Sequence, residues 1–312
     1  MKIIFAGTPE FAVQPLRAIV EAGYEVVGVV TQEDKPQGRK GILTPPPVKT
    51  LALSLGIPVF QPAKIRDFVT ELASLQADVM VTCAYGQILT QAVLDCFPCG
   101  VWNIHAGLLP KYRGASPIQS CILAGEEETG VSIMKTELGL DCGDVLMVER
   151  TAITPTETYG ELSSRLSALS APLIVKALNA LQTGDFTLTA QGEDGVQVVR
   201  KIGKEHAKID FARSAKEIVN LVRASNPAPV AYTQTEQGIL NVYLAEAVEW
   251  TDENAAAAIG EIVCDAPKKG LIVRCGDGFV KLLEVQAAGG KRMKGSDFLN
   301  GKKVVKGQVF VC

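Results

Sequence analysis

Two apolar runs flanking one helical stretch constrain the fold of this chain more than any other feature. Lys2-Ile3-Ile4-Phe5-Ala6 and Glu25-Val26-Val27-Gly28-Val29-Val30 are short, rich in Val and Ile, and do not alternate. That is the pattern of strands covered on both faces. Between them, Gly7-Thr8-Pro9-Glu10 leads into a helical pattern that runs through Ile19-Val20 and stops at Gly23. Thr8 is placed to cap this helix, with Pro9 as its first residue. Strand, helix and strand in this order call for a parallel pair joined by a right-handed crossover.

The pattern recurs. Helices are expected over 47–55, 67–75 and 116–123, and strands over 57–60, 78–83, 100–104, 131–134 and 145–148. Helical periodicity then extends from Tyr159 to Leu181, with a kink or break expected at Pro172. The class is α/β, with an open, mostly parallel sheet whose ligands belong at the carboxyl ends of the strands. Past Gly184 the character changes. Residues 188–205 are polar, carry Gly192, Gly195 and Gly203, and read as a linker. A short helix over 215–224 precedes alternating segments at 239–243, 271–275 and 279–283, the spacing of a small β-barrel. The expected division is a domain over 1–187, a linker over 188–205 and a second domain over 206–312.

Composition narrows the function. With 47% apolar and 21% charged residues in 312, the chain can bury a sizeable core. The net charge of −3 gives no global pull toward nucleic acid, but it is unevenly spread. Residues 1–205 hold 17 Lys+Arg against 22 Asp+Glu, or −5; residues 206–312 hold 14 against 12, or +2. The basic tail Lys291, Arg292, Lys294, Lys302, Lys303 and Lys306 faces only Asp297. On charge alone it reads as a solvated rim or a phosphate-facing surface. No apolar run approaches the roughly 18 residues that span a bilayer, and the start does not read as a signal peptide. Eight scattered cysteines suit a reducing, cytoplasmic setting. The first strand's turn lacks the later glycines of a dinucleotide fingerprint, and no P-loop occurs. Cys96-Phe97-Pro98-Cys99 cannot supply the four ligands of a structural zinc site, so the pair reads as cysteines in an apolar neighbourhood, and no tightly bound metal is expected.

One constellation carries chemistry. Asn103 and His105 stand two apart at a strand end, so their side chains share one face. A carboxamide N–H can stabilise a developing oxyanion, and an imidazole moves protons near neutral pH. Asp141 stands in the Gly-rich loop Gly139-Leu140-Asp141-Cys142-Gly143-Asp144; should that loop reach the same sheet edge, its carboxylate can orient the imidazole. The set suits acyl transfer to an amine without a covalent nucleophile. A structural histidine and an ordinary turn are the other reading of the same residues.

The segments Asn103-Ile104-His105, Leu108-Leu109-Pro110-Lys111-Tyr112-Arg113-Gly114 and Gly139 to Asp144 resemble the signature of the 10-formyltetrahydrofolate-dependent formyltransferases. Phe5 to Pro9, Thr31 to Arg39, Ala84 to Leu89, Lys204 to Asp210 and Arg223 to Pro227 resemble the branch that formylates methionyl-tRNA, and the likeness covers nearly the whole chain. The resemblance implies a Rossmann-like catalytic domain followed by an OB-like, tRNA-binding β-barrel. It implies a catalytic trio of Asn103, His105 and Asp141. It implies folate contacts from Gly107, Leu108, Leu109 and Pro110, and from Tyr85, Gly86, Leu89 and Asp144. Gly107 stands where members commonly carry Ser, and Tyr112 where they commonly carry Trp. Arg39 and Lys40 are implied as tRNA contacts. The formyl donor would be 10-formyltetrahydrofolate, the acceptor the α-amine of initiator methionyl-tRNA, and the protein a cytoplasmic monomer. An amino-sugar nucleotide is the alternative acceptor. Glycinamide ribonucleotide enzymes usually end with the catalytic domain, and a non-catalytic RNA-binding scaffold has no need of the trio.

Overall fold

The computed structural model describes residues 1–38, 41–249, 257–264, 266, 268–301 and 304–310. The chain forms two compact units. The first comprises Met1–Pro117, Glu128–Ala152 and Ser163–Val199; the second comprises Ile118–Glu127, Ile153–Leu162 and the described part of Arg200–Cys312.

In the first unit, β1 (Lys2–Gly7), β2 (Glu25–Val30), the hairpin strands β3 (Lys35–Gln37) and β4 (Ile42–Thr44), β5 (Val59–Phe60), β6 (Val79–Cys83), β7 (Val101–His105), β9 (Glu128–Lys135) and β10 (Val145–Ala152) are joined largely by helices. Two-residue β8 (Arg113–Gly114) lies outside the main sheet. The seven-stranded sheet has the order β10-β9-β7-β6-β1-β2-β5. Only β9 runs against its neighbours. Central β1 explains its own sequence: Ile3, Ile4, Phe5 and Ala6 are fully buried because strands flank it on both sides and side chains cover both faces. β2 carries Gly28 where a Cβ would stand 2.8 Å from the Phe60 ring, so the glycine is what lets β2 and the ring approach.

The first helix begins later than the sequence suggests. Glu10–Ala12 is a 3₁₀ turn, and α1 proper is Val13–Glu21, ending before Gly23 at φ +84. Thr8 does not cap it. Its hydroxyl donates instead to the Tyr85 carbonyl (3.1 Å) and accepts from Gln32 N–H (3.3 Å). A hydroxyl at a strand end serves whichever orphan backbone group is nearest, and here those belong to neighbouring strand ends. The helix over Tyr159–Thr183 runs unbroken through Pro172. Buried Leu166, Leu173, Ile174, Ala177 and Leu178 on both sides of the proline hold both halves in place, although the ring removes one backbone hydrogen bond. Cys99 is exposed rather than buried, and all seven described cysteines are free.

In the second unit, the helix over Ala215–Ala224 starts at a reciprocal cap. Ser214 Oγ accepts from Glu217 N–H, and Glu217 Oε2 accepts from Ser214 N–H at 3.0 Å. Its Ile218 and Val222, one turn apart, are buried against an antiparallel sheet. That sheet is a curled half-barrel of β12 (Ala231–Thr235), β13 (Gly238–Val248), β16 (Phe279–Ala287), β15 (Leu271–Arg274) and β14 (Ile262–Cys264), with β17 (Met293–Lys294) pairing with β16. Val242, Val273, Val280 and Leu282 alternate inward, and Phe211 stacks on Phe310 at 5.7 Å to close the core.

Candidate active site

Three strand ends converge where the sequence places the ligand. β1 ends at Gly7-Thr8, β2 at Thr31-Gln32 and β6 at Cys83, and the Tyr85 carbonyl ties them together. It accepts from Thr8 Oγ1 and, at 3.2 Å, from Gln32 Nε2. Gln87 fixes the same loop from the far side, accepting from Ile65 N–H at 2.7 Å. Ala84 and Gly86 both take left-handed backbone, at φ +47 and +85, which turns the peptide groups of 84–86 edge-on. Tyr85 and Leu89 of this loop are buried in a core cluster with Ile4, Met80 and Val101. Burial pushes the Tyr85 phenol up to about 12, and its hydroxyl has no hydrogen-bond partner among the described residues.

β6 pairs with β7 in the register Thr82↔Asn103, so this loop is next to the end that carries Asn103 and His105. Thr82 Oγ1 donates to Asn103 Oδ1 at 2.9 Å. With its oxygen so engaged, the Asn103 carboxamide turns its NH₂ away from Thr82 and leaves those hydrogens for another acceptor.

His105 is 4% exposed. Its Nε2 is 3.1 Å from the carbonyl oxygen of Tyr112, which stands at φ +57. A carbonyl only accepts, so the hydrogen of neutral His105 resides on Nε2, and Nδ1 presents the lone pair. Nδ1 is 3.6 Å from Asp141 Oδ2, a charge contact rather than a hydrogen bond. Burial pushes the imidazole below its ordinary value; the Asp141 carboxylate and the Tyr112 carbonyl act in the other direction and offset only part of that. His105 is therefore neutral at pH 7, with an available base at Nδ1 and a carboxylate ready to stabilise the imidazolium.

The turn after His105 is packed against the ring. A Cβ at Gly107 would stand 3.2 Å from His105 Nε2 and 3.3 Å from Pro117 Cβ, tighter than ordinary contact. Ser132 Oγ donates to the Gly107 carbonyl at 2.7 Å and accepts from Leu109 N–H at 3.4 Å, holding the Gly107-Leu108-Leu109-Pro110 turn. The structure thus joins Asp141 directly to His105, with Asn103 and the 107–110 turn on the same strand end and Tyr85, Gly86 and Leu89 on the adjacent one. Asp144 lies three residues past Asp141, and its main-chain oxygen accepts from Lys135 N–H at 2.9 Å. Arg39 and Lys40 lie outside the described residues.

The N-terminal part, residues 1–178, matches the formyl transferase family, and residues 201–303 match the formyl transferase C-terminal domain. The chain is 44% identical to a methionyl-tRNA formyltransferase of Symbiobacterium thermophilum over 99% of this chain and 95% of the relative. It is 45% identical to one of Neisseria meningitidis serogroup B over 98% of this chain and 99% of that one. The chain belongs to the methionyl-tRNA formyltransferase family.

Among solved structures, an N-formyltransferase from Helicobacter canadensis, in complex with folinic acid and dTDP-3-aminofucose, shares the fold of this family member. Its TM-score is 0.69, with 18% identity over 90% of this chain and 98% of that one. HypX from Aquifex aeolicus, in complex with tetrahydrofolic acid, gives a TM-score of 0.66 at 18% identity over 99% of this chain; the chain spans about half of HypX, 48%. Three residues of the site escape the sequence reading. Thr82 sits in an apolar run as an ordinary β-former, Ser132 in another, and Gln191 in the polar stretch past Gly184. Each acts through strand pairing or a distant loop, and only spacing to a partner in space would have singled them out.

Proposed function

We propose that this protein transfers the formyl group of 10-formyltetrahydrofolate to the α-amine of methionyl-initiator tRNA, in support of translation initiation. Relatives at 44–45% identity over essentially their full length carry that activity in their name, whereas the sugar formyltransferase structure shares only the fold. The observation that carries the reading is the pair of polar groups at the end of β7. Asn103 Oδ1 accepts from Thr82, its N–H groups have no partner among the described residues, and His105 is neutral with Nδ1 beside Asp141.

The donor supplies an electrophilic formyl carbon on N10, and the acceptor an amine whose ester neighbour leaves a neutral fraction near pH 7. Asn103 donates an N–H to the oxygen on which negative charge develops. His105 Nδ1 takes the proton that the amine loses on attack, Asp141 stabilises the resulting imidazolium, and His105 delivers the proton toward the leaving N10. The residues present fit a folate. Exposed Ala84 and Gly86, both with left-handed backbone, offer main-chain donors and acceptors to a pterin, Leu89 and Leu108 are the proposed apolar contacts, and a Cβ at Gly86 would meet Gln32 Nε2 at 3.7 Å, a polar group on the same rim. Gly107 to Pro110, Tyr85 and Asp144 complete the proposed folate contacts. Arg39 and Lys40 are the proposed tRNA contacts, with residues 1–187 catalytic, 188–205 a linker whose part up to Val199 packs within the first unit, and 206–312 binding tRNA. Action as a monomer belongs to the same proposal. A cytoplasmic setting is proposed with it; the seven described cysteines are free, and among the described residues no helix is long and apolar enough to cross a membrane.

The test is formyl transfer from 10-formyltetrahydrofolate to charged initiator methionyl-tRNA, with an amino-sugar nucleotide run in parallel. His105→Ala should lower turnover about 10²–10⁴-fold. Turnover of the sugar with none of the tRNA would replace the acceptor and keep the chemistry.

A further inference from the structure

Gln191 touches the site from fifty positions downstream of Asp141. Its Nε2 donates to the main-chain oxygens of Asp141 (2.9 Å) and Gly143 (2.7 Å), and its Oε1 accepts from Arg113 Nε at 3.0 Å. Both N–H donors of the carboxamide are thus spent on carbonyls of one loop. That loop needs holding. Asp141 stands at φ +47, a left-handed conformation that few non-glycine residues adopt. Its carboxylate and Nδ1 of His105, 3.6 Å apart, share no hydrogen bond that would restore their own geometry. Their separation is set by the backbone that carries each partner.

On the His105 side that backbone is β7 and the Tyr112 carbonyl. On the Asp141 side it is Gly114 N–H, which donates to Oδ2 at 2.8 Å, and Gln191. Gly114 is itself fixed by the downstream segment. β8 pairs with β11 (Val198–Val199), and Arg113 N–H donates to the Gln197 carbonyl at 2.8 Å. One stretch, 191–199, therefore fixes both the loop that carries Asp141 and the amide that its carboxylate grips.

We propose that Gln191 is a positioning residue for formyl transfer, its carboxamide bracing the Asp141 loop so that the carboxylate stays against His105. The proposal rests on the catalytic reading of His105 and Asp141 given above.

A kinetic cycle tests it on the full-length protein with both substrates. Gln191→Ala removes the brace. Gln191→Glu keeps the shape and the Arg113 contact but sets oxygen lone pairs against the two carbonyls. Both should lower kcat between about tenfold and 10²-fold, the range for a misplaced catalytic group, and leave KM for folate and tRNA within about twofold. The acid limb of the kcat profile should move to lower pH, because a drifting carboxylate no longer raises the imidazole. In an Asp141→Ala background, Gln191→Ala should change kcat by less than about twofold, since it acts through that residue. Two results overturn the proposal alone: wild-type kcat in both Gln191 variants while Asp141→Ala is slow, or a loss of undiminished size in the Asp141→Ala background. Wild-type kcat in Asp141→Ala would instead remove the catalytic reading, and the proposal with it.

Discussion

Thr82→Val isolates the contribution of one hydroxyl to the oxyanion donor. The side chain is 7% exposed, and valine keeps its branching and its fit to a buried strand, so the change removes the hydrogen bond to Asn103 Oδ1 and little else. The second oxygen near that hydroxyl, the Trp102 carbonyl, is 3.5 Å away and competes poorly for its single proton. A neutral hydrogen bond contributes about 1 kcal/mol net. If that energy is what favours the carboxamide orientation with its N–H groups free, losing it lets the productive rotamer become a minority, and kcat should fall by about fivefold. That is well short of the roughly 10²–10³-fold expected of Asn103→Ala, which deletes the donor itself. Thr82→Ser should restore most of the rate. The assay is single-turnover formylation of charged initiator tRNA at saturating folate, with urea unfolding of each variant alongside. A Thr82→Val rate equal to wild type would refute the orientation argument. So would a Thr82→Ser rate no better than that of Thr82→Val, since serine keeps the donor and valine lacks it.

Three further outcomes follow from the same geometry. His105 must be neutral to accept a proton, and burial lowers its pKa, so the limb that belongs to His105 should lie below the ordinary imidazole value of 6.5, beneath the fall that protonation of the acceptor amine imposes; a pH–rate profile in which His105→Ala removes a limb above about 6.5 contradicts this. The same depressed group contributes stability that is fully present above about pH 6.5 and is lost as pH falls through its folded value, which urea unfolding at a series of pH values measures in His105→Ala against wild type. Gly114→Ala, at φ +114 with a Cβ 2.3 Å from the Val199 carbonyl oxygen, should cost about 1–3 kcal/mol in urea unfolding and slow turnover by displacing the amide that holds Asp141; unchanged stability would contradict it. Tyr85→Phe removes a buried hydroxyl that has no partner among the described residues, so its unfolding midpoint should equal or exceed that of wild type, and a drop of more than about 1 kcal/mol would show a partner after all.

Much of the candidate site is legible in the sequence because its polar groups lie on local periodicity. Asn103 and His105 fall two apart on a strand, and strand geometry alone puts them on one face. The parallel order of the first unit follows equally from apolar runs such as Ile3-Ile4-Phe5 separated by helical stretches. Thr8 shows where this logic stops. A Ser/Thr–Pro pair before a helical run is a sound capping signal, yet the hydroxyl answers the Tyr85 carbonyl 77 positions away, which no local window contains. Pro172 shows the converse. Local chemistry argues for a break, but the apolar residues on both sides are buried and the helix continues.

The polar stretch past Gly184 shows why composition misleads about position. Gln191, Gln197 and Val199 have neither apolar periodicity nor a turn signature of their own, because what they do is complete the hydrogen bonding of other segments. The loop 139–144 carries an aspartate at positive φ, and the main-chain oxygens of Asp141 and Gly143 accept from Gln191 rather than from within the loop. A polar segment of no evident pattern is what supplies those donors. In an α/β enzyme whose acid and base sit on separate elements, the distance between them is only as well defined as those second contacts. The residues that fix His105 against Asp141 are therefore to be sought among the side chains that sequence patterning leaves unassigned.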